Sequence, residues 1–159
     1  WGENMPDHIQ RIGIETVIAK DLENVTWYGR GPQDTYIDSK NHAYVGLYSA
    51  TADDLYVPYV MPQEYGAKSD TDYAQITDCY GKGIIVHAPE KMMFSLRKYT
   101  TDNIDKAQHP YDLKEFDGLV LNCDMAQQGL GSAYIGPFAK EEYTLKSKEY
   151  EFRLIFTPK

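Results

Sequence analysis

In the run Ile9-Gln10-Arg11-Ile12-Gly13-Ile14-Glu15-Thr16-Val17-Ile18-Ala19-Lys20, Ile12, Ile14, Thr16 and Ile18 fall on one side and Arg11, Gly13 and Glu15 on the other. That two-residue period belongs to a half-buried strand, with one face on a core and one in water. Val25 to Tyr28 continues the sheet, and Gly29-Arg30-Gly31-Pro32 is expected to break it, because Gly and Pro disfavour a continuing central strand. Further strands are predicted over Tyr73–Thr77, Gly83–Ala88, Met93–Lys98, Gly118–Met125, Glu142–Lys146 and Tyr150–Phe156, most of them rich in β-branched or aromatic residues and closed by turn residues. Hairpins at Tyr80-Gly81-Lys82-Gly83 and Pro89-Glu90-Lys91 join neighbours without the helical crossovers that parallel strands need, so the pattern is antiparallel. Helix signal is confined to Ala43–Ala50 and to Thr101–Ala107, where a threonine N-cap precedes Asp102. The expected fold is all-β, an antiparallel β-sandwich with a few short helices.

A chain of 159 residues suits one hydrophobic core. No repeat, low-complexity tract or charge block divides it, so 1–159 is read as a single domain. An apolar fraction of 42% argues against disorder. The 14 tyrosines suit strands with one wet end, and also suit stacking against the CH faces of sugar rings. A net charge of −8 argues against general attraction to nucleic acid or an anionic membrane surface. No apolar run reaches the length of a spanning helix, so membrane insertion is not expected. Because the chain opens Trp1-Gly2-Glu3-Asn4 rather than with Met, it is read as a piece of a longer polypeptide. Cys79 and Cys123 belong to no metal-binding pair and are expected as buried thiols, a disulfide requiring that the strands carrying them be neighbours.

The acids form no evident catalytic pair: Asp53-Asp54, Glu141-Glu142, and Asp70 with Asp72 all read as solvated. Asp70, Asp72 and Asp78 could supply oxygen ligands to a divalent ion but lack the glycine and glutamate of an EF-hand loop. His8, His42, His87 and His109 are dispersed, and no nucleophile elbow of the G-x-S-x-G type is present. The most distinctive loop is Gly129-Leu130-Gly131-Ser132-Ala133-Tyr134-Ile135-Gly136-Pro137, whose glycines permit close backbone approach while Tyr134 and Ile135 are carried between them.

Three segments then resemble one family in the same order. Trp27-Tyr28-Gly29-Arg30-Gly31-Pro32-Gln33-Asp34-Thr35-Tyr36-Ile37-Asp38 resembles the W-x-G-x-G-P-x-E-N-Y-x-D stretch of the β-galactosidase small-chain domain, within glycoside hydrolase family 2. Tyr56-Val57-Pro58-Tyr59-Val60-Met61-Pro62-Gln63-Glu64-Tyr65-Gly66 is similar to its Y-x-P-Y-x-x-P-Q-E-N-G, and Gln128-Gly129-Leu130-Gly131-Ser132 to its M-G-[IL]-G-G turn. Arg97-Lys98-Tyr99-Thr100 also matches, so that the likeness runs from about Ile9 to the C-terminus.

The resemblance implies a supersandwich of the galactose mutarotase-like type, of which this chain is the C-terminal part. It implies a non-catalytic domain of a bacterial retaining β-galactosidase acting on terminal β-D-galactosides such as lactose. The catalytic glutamates and magnesium ligands would lie in a TIM barrel elsewhere, so no catalytic residue and no cofactor is assigned to this chain. Partners would be the rest of the polypeptide or a large subunit, the galactoside, and further copies in a homo-oligomer; the compartment, bacterial cytoplasm or periplasm, stays open. The family places a tryptophan beside the sugar, and the matching position here is Ile135, next to Tyr134. Tyr134 and Ile135 are therefore expected to line the substrate pocket, with Gln63 and Glu64 as further wall residues. Two other readings stand beside this one: a stand-alone carbohydrate-binding module, and an aldose epimerase with a His acid and a Glu base in one pocket.

Overall fold

The computed structural model describes residues 6–131 and 136–159. Its strands are β1 (His8–Ile9), β2 (Arg11–Ile18), β3 (Asn24–Gly31), β4 (Tyr44–Thr51), β5 (Lys68–Thr77), β6 (Gly83–Arg97), β7 (Leu119–Gln127), β8 (Leu145–Lys146) and β9 (Ile155–Pro158), with one short α-helix, α1 (Thr101–Lys106). Among the described residues, seven strands pair antiparallel in the order β2-β7-β6-β5-β3-β4, with β9 added to β6, while β1 and β8 pair separately. The fold is the expected all-β sandwich class.

Alternation along the strands sorts the side chains. Val25 and Trp27 of β3, Ala74 and Ile76 of β5, Val86, Phe94 and Leu96 of β6, and Leu119, Leu121 and Cys123 of β7 meet in one buried cluster, against which Phe152 and Leu154 pack. Trp27 stacks on Tyr48 of β4 at 5.4 Å and meets the edge of Phe94 at 5.9 Å, while its indole N–H donates to the Arg30 carbonyl. Lys68 is buried over the same indole, and burial lowers its ammonium pKa to about 8 against the opposing pull of Asp34.

Several elements depart from the sequence reading. Ala43–Ala50, expected as helix, falls from Tyr44 onward in the strand β4, because all eight residues of Tyr44–Thr51 pair with β3 and Tyr48 is needed on Trp27. β3 runs on through Gly29 and Gly31: a Cβ at Gly29 would stand 2.5 Å from Thr71 Oγ1, so here glycine admits a neighbour instead of ending the strand. Pro89-Glu90-Lys91 is no hairpin but an interruption inside the single strand β6. Opposite it only Asp72 separates Thr71 from Tyr73, so four residues of β6 face one of β5 and the proline is absorbed in an enlarged bulge. Lys91 clips this bulge to Asp72 at 3.1 Å.

Glu142–Lys146 shrinks to a 3-10 turn and the two residues of β8, and only the end of Tyr150–Phe156 joins β9. The hairpin at Tyr80–Gly83 is present, held by the Asp78 carboxylate, which accepts from the Tyr80 and Lys82 amides. The helix α1 is also present, capped by Thr100, whose hydroxyl accepts from the Asn103 amide at 3.1 Å. Both cysteines are free, and Cys79 is exposed rather than buried.

Candidate functional site

β2, β7 and the end of β6 lie side by side, and their register sets one chemical face. Gly13 is opposite Asp124, Glu15 opposite Asn122, and Asn122 in turn opposite Ser95, two residues before Arg97. Residues at spacing two share a face, so Arg11, Glu15, Asn122, Asp124 and Arg97 are turned away from the apolar cluster and toward one another. The loop before β5 adds Glu64 and α1 adds Thr101, and together these residues line a cavity of about 540 Å³. The side of β2 read as facing water is therefore the wall of a cavity.

Arg97 is its centre, at 1% exposure. Its Nη2 donates to Asn122 Oδ1 at 2.7 Å, Thr101 Oγ1 at 3.0 Å and Glu15 Oε2 at 3.4 Å, and its Nη1 reaches Glu64 Oε2 at 3.5 Å. Arg11 holds the other Glu64 oxygen at 3.0 Å and pairs with Asp124 at 3.0 Å. Glu15 also accepts from Thr101 at 2.7 Å and from Asn122 at 3.2 Å. Burial raises the Glu15 carboxyl, but these hydrogen bonds and the charges of Arg97 and Arg11 outweigh it and hold it below the ordinary glutamate value.

Asp124 behaves in the opposite way. Burial pushes its pKa up to about 7; Arg11 and Arg97 pull it down, and Glu64 pushes it further up. Its Oδ1 is buried without a hydrogen-bond partner among the described residues. An acid whose folded pKa lies above the unfolded value of 3.8 binds its proton more tightly when folded. Its contribution to stability is complete below the unfolded value and is lost as pH rises through about 7. Glu15 and Asp70, both lowered, contribute in the reverse direction, with stability lost as pH falls through their depressed values. The melting temperature is thus expected to fall between about pH 5 and about pH 8, and Asp124→Asn to flatten that fall. Thermal melts across this range check it, and an unchanged slope in the variant contradicts it.

The glycine turn stands at the rim. Gln128, Gly129 and Leu130 border the cavity, the Gln128 amide donates to the Gln10 carbonyl at 2.8 Å, and the Gly129 amide to the Tyr143 carbonyl at 2.8 Å. Gly131 is left-handed at φ +62° and donates its amide to Asp38 Oδ2 at 2.7 Å. Asp38 ends the Trp27–Asp38 motif, Glu64 lies in the Tyr56–Gly66 motif, Arg97 opens the Arg97–Thr100 match, and Gly131 lies in the glycine-turn motif. The structure joins them in two contacts, Asp38 to Gly131 and Glu64 to Arg97. Asp34 adds a third link, accepting from the Gly66 amide at 3.4 Å.

Of the residues expected at the substrate-pocket wall, Glu64 borders this cavity and Gln63 is exposed on the loop outside it. Tyr134 and Ile135 lie outside the described residues. Asp70, Asp72 and Asp78 are spent separately, on Arg30 and Lys40, on Lys91, and on a turn. Among the described residues no three His, Cys, Asp or Glu side chains are gathered as metal ligands. Among the described residues no histidine lines the cavity that holds Glu64, so the acid and base of an epimerase are not assembled there. No described helix is long and apolar enough to cross a membrane.

Sequence reading missed Arg11, Glu15, Arg97, Thr101, Asn122, Asp124 and Asp38 as site residues. The available signals were the strand face shared by Arg11 and Glu15, and the places of Asp38 and Arg97 within segments that resemble the family. Asp124 gave none, since its role depends on contacts from β2.

A family model described as the β-galactosidase small chain matches residues 2–156. The chain belongs to the β-galactosidase small-chain family. Among its relatives are a protein named β-galactosidase from Actinobacillus pleuropneumoniae, 32% identical over 94% of this chain, and one from Vibrio cholerae, 32% identical over 92%. Another, from Kluyveromyces lactis, is 31% identical over 95% of this chain. In each case the small-chain segment covered is 14% of the relative's length.

Proposed function

We propose that this small-chain segment is a non-catalytic C-terminal domain of a retaining β-galactosidase, and that it closes one wall of the galactoside pocket while the displacement at the anomeric carbon takes place on another domain. The whole of 1–159 acts in this as one domain. The observation that carries this reading is the state of the cavity carboxylates. Glu64 is shared between Arg11 and Arg97, and Glu15 between Arg97, Thr101 and Asn122. A nucleophile and an acid/base carboxyl need freedom to attack and to exchange a proton. These two are instead committed to the arginine network, Asp124 is paired with Arg11 at 3.0 Å, and Glu64 is assigned to holding the cavity together.

The wall itself is assigned to Tyr134 and Ile135, which follow the turn that Asp38 holds, with exposed Gln63 as a polar neighbour. A wall of this kind contributes by orienting the sugar and excluding water from it. With isoleucine at the family's tryptophan position, the stacking face falls to Tyr134. The remainder of the polypeptide or a large subunit supplies the barrel with its magnesium, and the assembled enzyme is a homo-oligomer.

In the full-length polypeptide, Tyr134→Ala and Ile135→Ala are each expected to lower kcat/KM for a β-galactoside by roughly tenfold, the effect of withdrawing one aromatic or aliphatic group from the bound sugar. Steady-state kinetics measure it, and unchanged kcat/KM in both variants overturns the wall assignment.

A further inference from the structure

Asp38 and the glycine turn are 93 residues apart in sequence and in direct contact. The contact is two-fold. The Asp38 carboxylate accepts the Gly131 amide at 2.7 Å, and its Cγ occupies the space where a Cβ on residue 129 would lie, 2.8 Å away. Neither half survives substitution: any side chain at 129 collides with the carboxyl, and any other residue at 131 is strained at φ +62°.

Asp38 is itself held. The Ser39 amide donates to the Tyr36 carbonyl at 3.0 Å, Tyr36 is buried, and the Thr35 amide donates to the Ala67 carbonyl at 2.7 Å. The Thr35 hydroxyl in turn accepts from the Ser69 amide at 2.8 Å. The segment carrying Asp38 is thus tied to the start of β5, which is in the sheet. A carboxylate on a fixed support, accepting an amide N–H, is a charge-assisted bond stronger than a neutral one.

We infer that Asp38 is a positioning residue: through its contact with Gly129 and Gly131 it holds the glycine turn in place at the rim of the cavity, and through that turn it acts on sugar binding at the wall proposed above. The inference rests on the wall assignment for its effect on turnover, but not for its effect on the turn. Asp38 touches no substrate. Its action is on the turn at residues 129–131, so its loss raises KM more than it lowers kcat.

The experiment uses the full-length polypeptide with Asp38→Ala and Asp38→Asn, read by amide hydrogen exchange at residues 129–131 and by kinetics on a nitrophenyl β-galactoside. Asp38→Ala is expected to speed exchange at Gly131 by roughly tenfold or more, as loss of one hydrogen bond to a charged group allows. It is also expected to raise KM by roughly tenfold with kcat held within about twofold. Asparagine keeps the shape and one acceptor oxygen, and is expected to restore most of both. This variant also serves if the alanine protein fails to fold.

Unchanged exchange at Gly131 in both variants overturns the inference. So does faster exchange with unaltered KM, provided Tyr134→Ala or Ile135→Ala alters it. If neither of those two changes the kinetics, the wall assignment is what fails, and the exchange at Gly131 still decides whether Asp38 holds the turn.

Discussion

Arg97→Ala is expected to destabilise the domain by about 3–5 kcal/mol, the cost of removing one partner from a buried charge network. The guanidinium is 1% exposed and touches Asn122, Thr101, Glu15 and Glu64. Removing it leaves Glu64 and Asp124 facing one remaining cation, Arg11. The Glu15 contact adds little to the total, because that side chain is 47% exposed and its charge is screened by water. The loss is large beside a net stability of about 5–15 kcal/mol for an ordinary domain. Arg97→Lys recovers only part of it, since a single ammonium cannot span Asn122 on one side and Glu64 on the other as the fork does. Urea denaturation measures both variants. A loss under about 1 kcal/mol for the alanine variant means the network is a surface ornament and not a buried support.

Gly13→Ala is expected to cost about 3 kcal/mol, at the upper end of overpacking, although the strand face it occupies borders a cavity. A Cβ there would lie 2.2 Å from Asp124 Oδ1, 2.5 Å from the Cys123 carbonyl and 2.6 Å from Asp124 Cα. Two of these three atoms are backbone, so rotating a side chain away does not relieve the clash. β2 and β7 must separate just beyond the bulge between Ile12 and Gly13, and the Arg11 to Asp124 pair goes with them. Gly81→Ala gives the contrast. That glycine is left-handed at φ +77° with nothing within 4 Å of a Cβ, so the cost is the backbone strain alone, about 1–2 kcal/mol. Equal losses in the two variants would contradict the packing argument.

The contrast between those glycines shows where reading the sequence reaches its limit. Gly81 is legible, because a turn between two strands is a local matter and Asp78 caps it from three residues away. Gly13 and Gly29 are not, because what crowds them arrives from strands far along the chain. The same division holds elsewhere. The period of Ile9–Lys20 reveals the strand, but of its apolar side Ile18 packs on the core while Ile14 is 42% exposed, and the polar side becomes a cavity wall only when β7 and β6 bring Asn122, Asp124 and Arg97 alongside. β4 reads as helix in the sequence because its eight residues acquire their meaning from pairing with β3. Pro89 reads as a turn because the bulge that accommodates it depends on Asp72 across the ladder. Motif resemblance finds Glu64 and the glycine turn, and Arg97 within its match, without indicating that Asp38 and Gly131 touch.

Hydrolysis of a nitrophenyl β-galactoside by the purified 159-residue chain, alone and then mixed with the remainder of its parent polypeptide, tests the non-catalytic assignment most directly. No turnover alone, with activity appearing on mixing, is the expected result. Turnover by the isolated chain would contradict it, and would mean that Glu15, Glu64 or Asp124 is released from its arginine partners to do the chemistry.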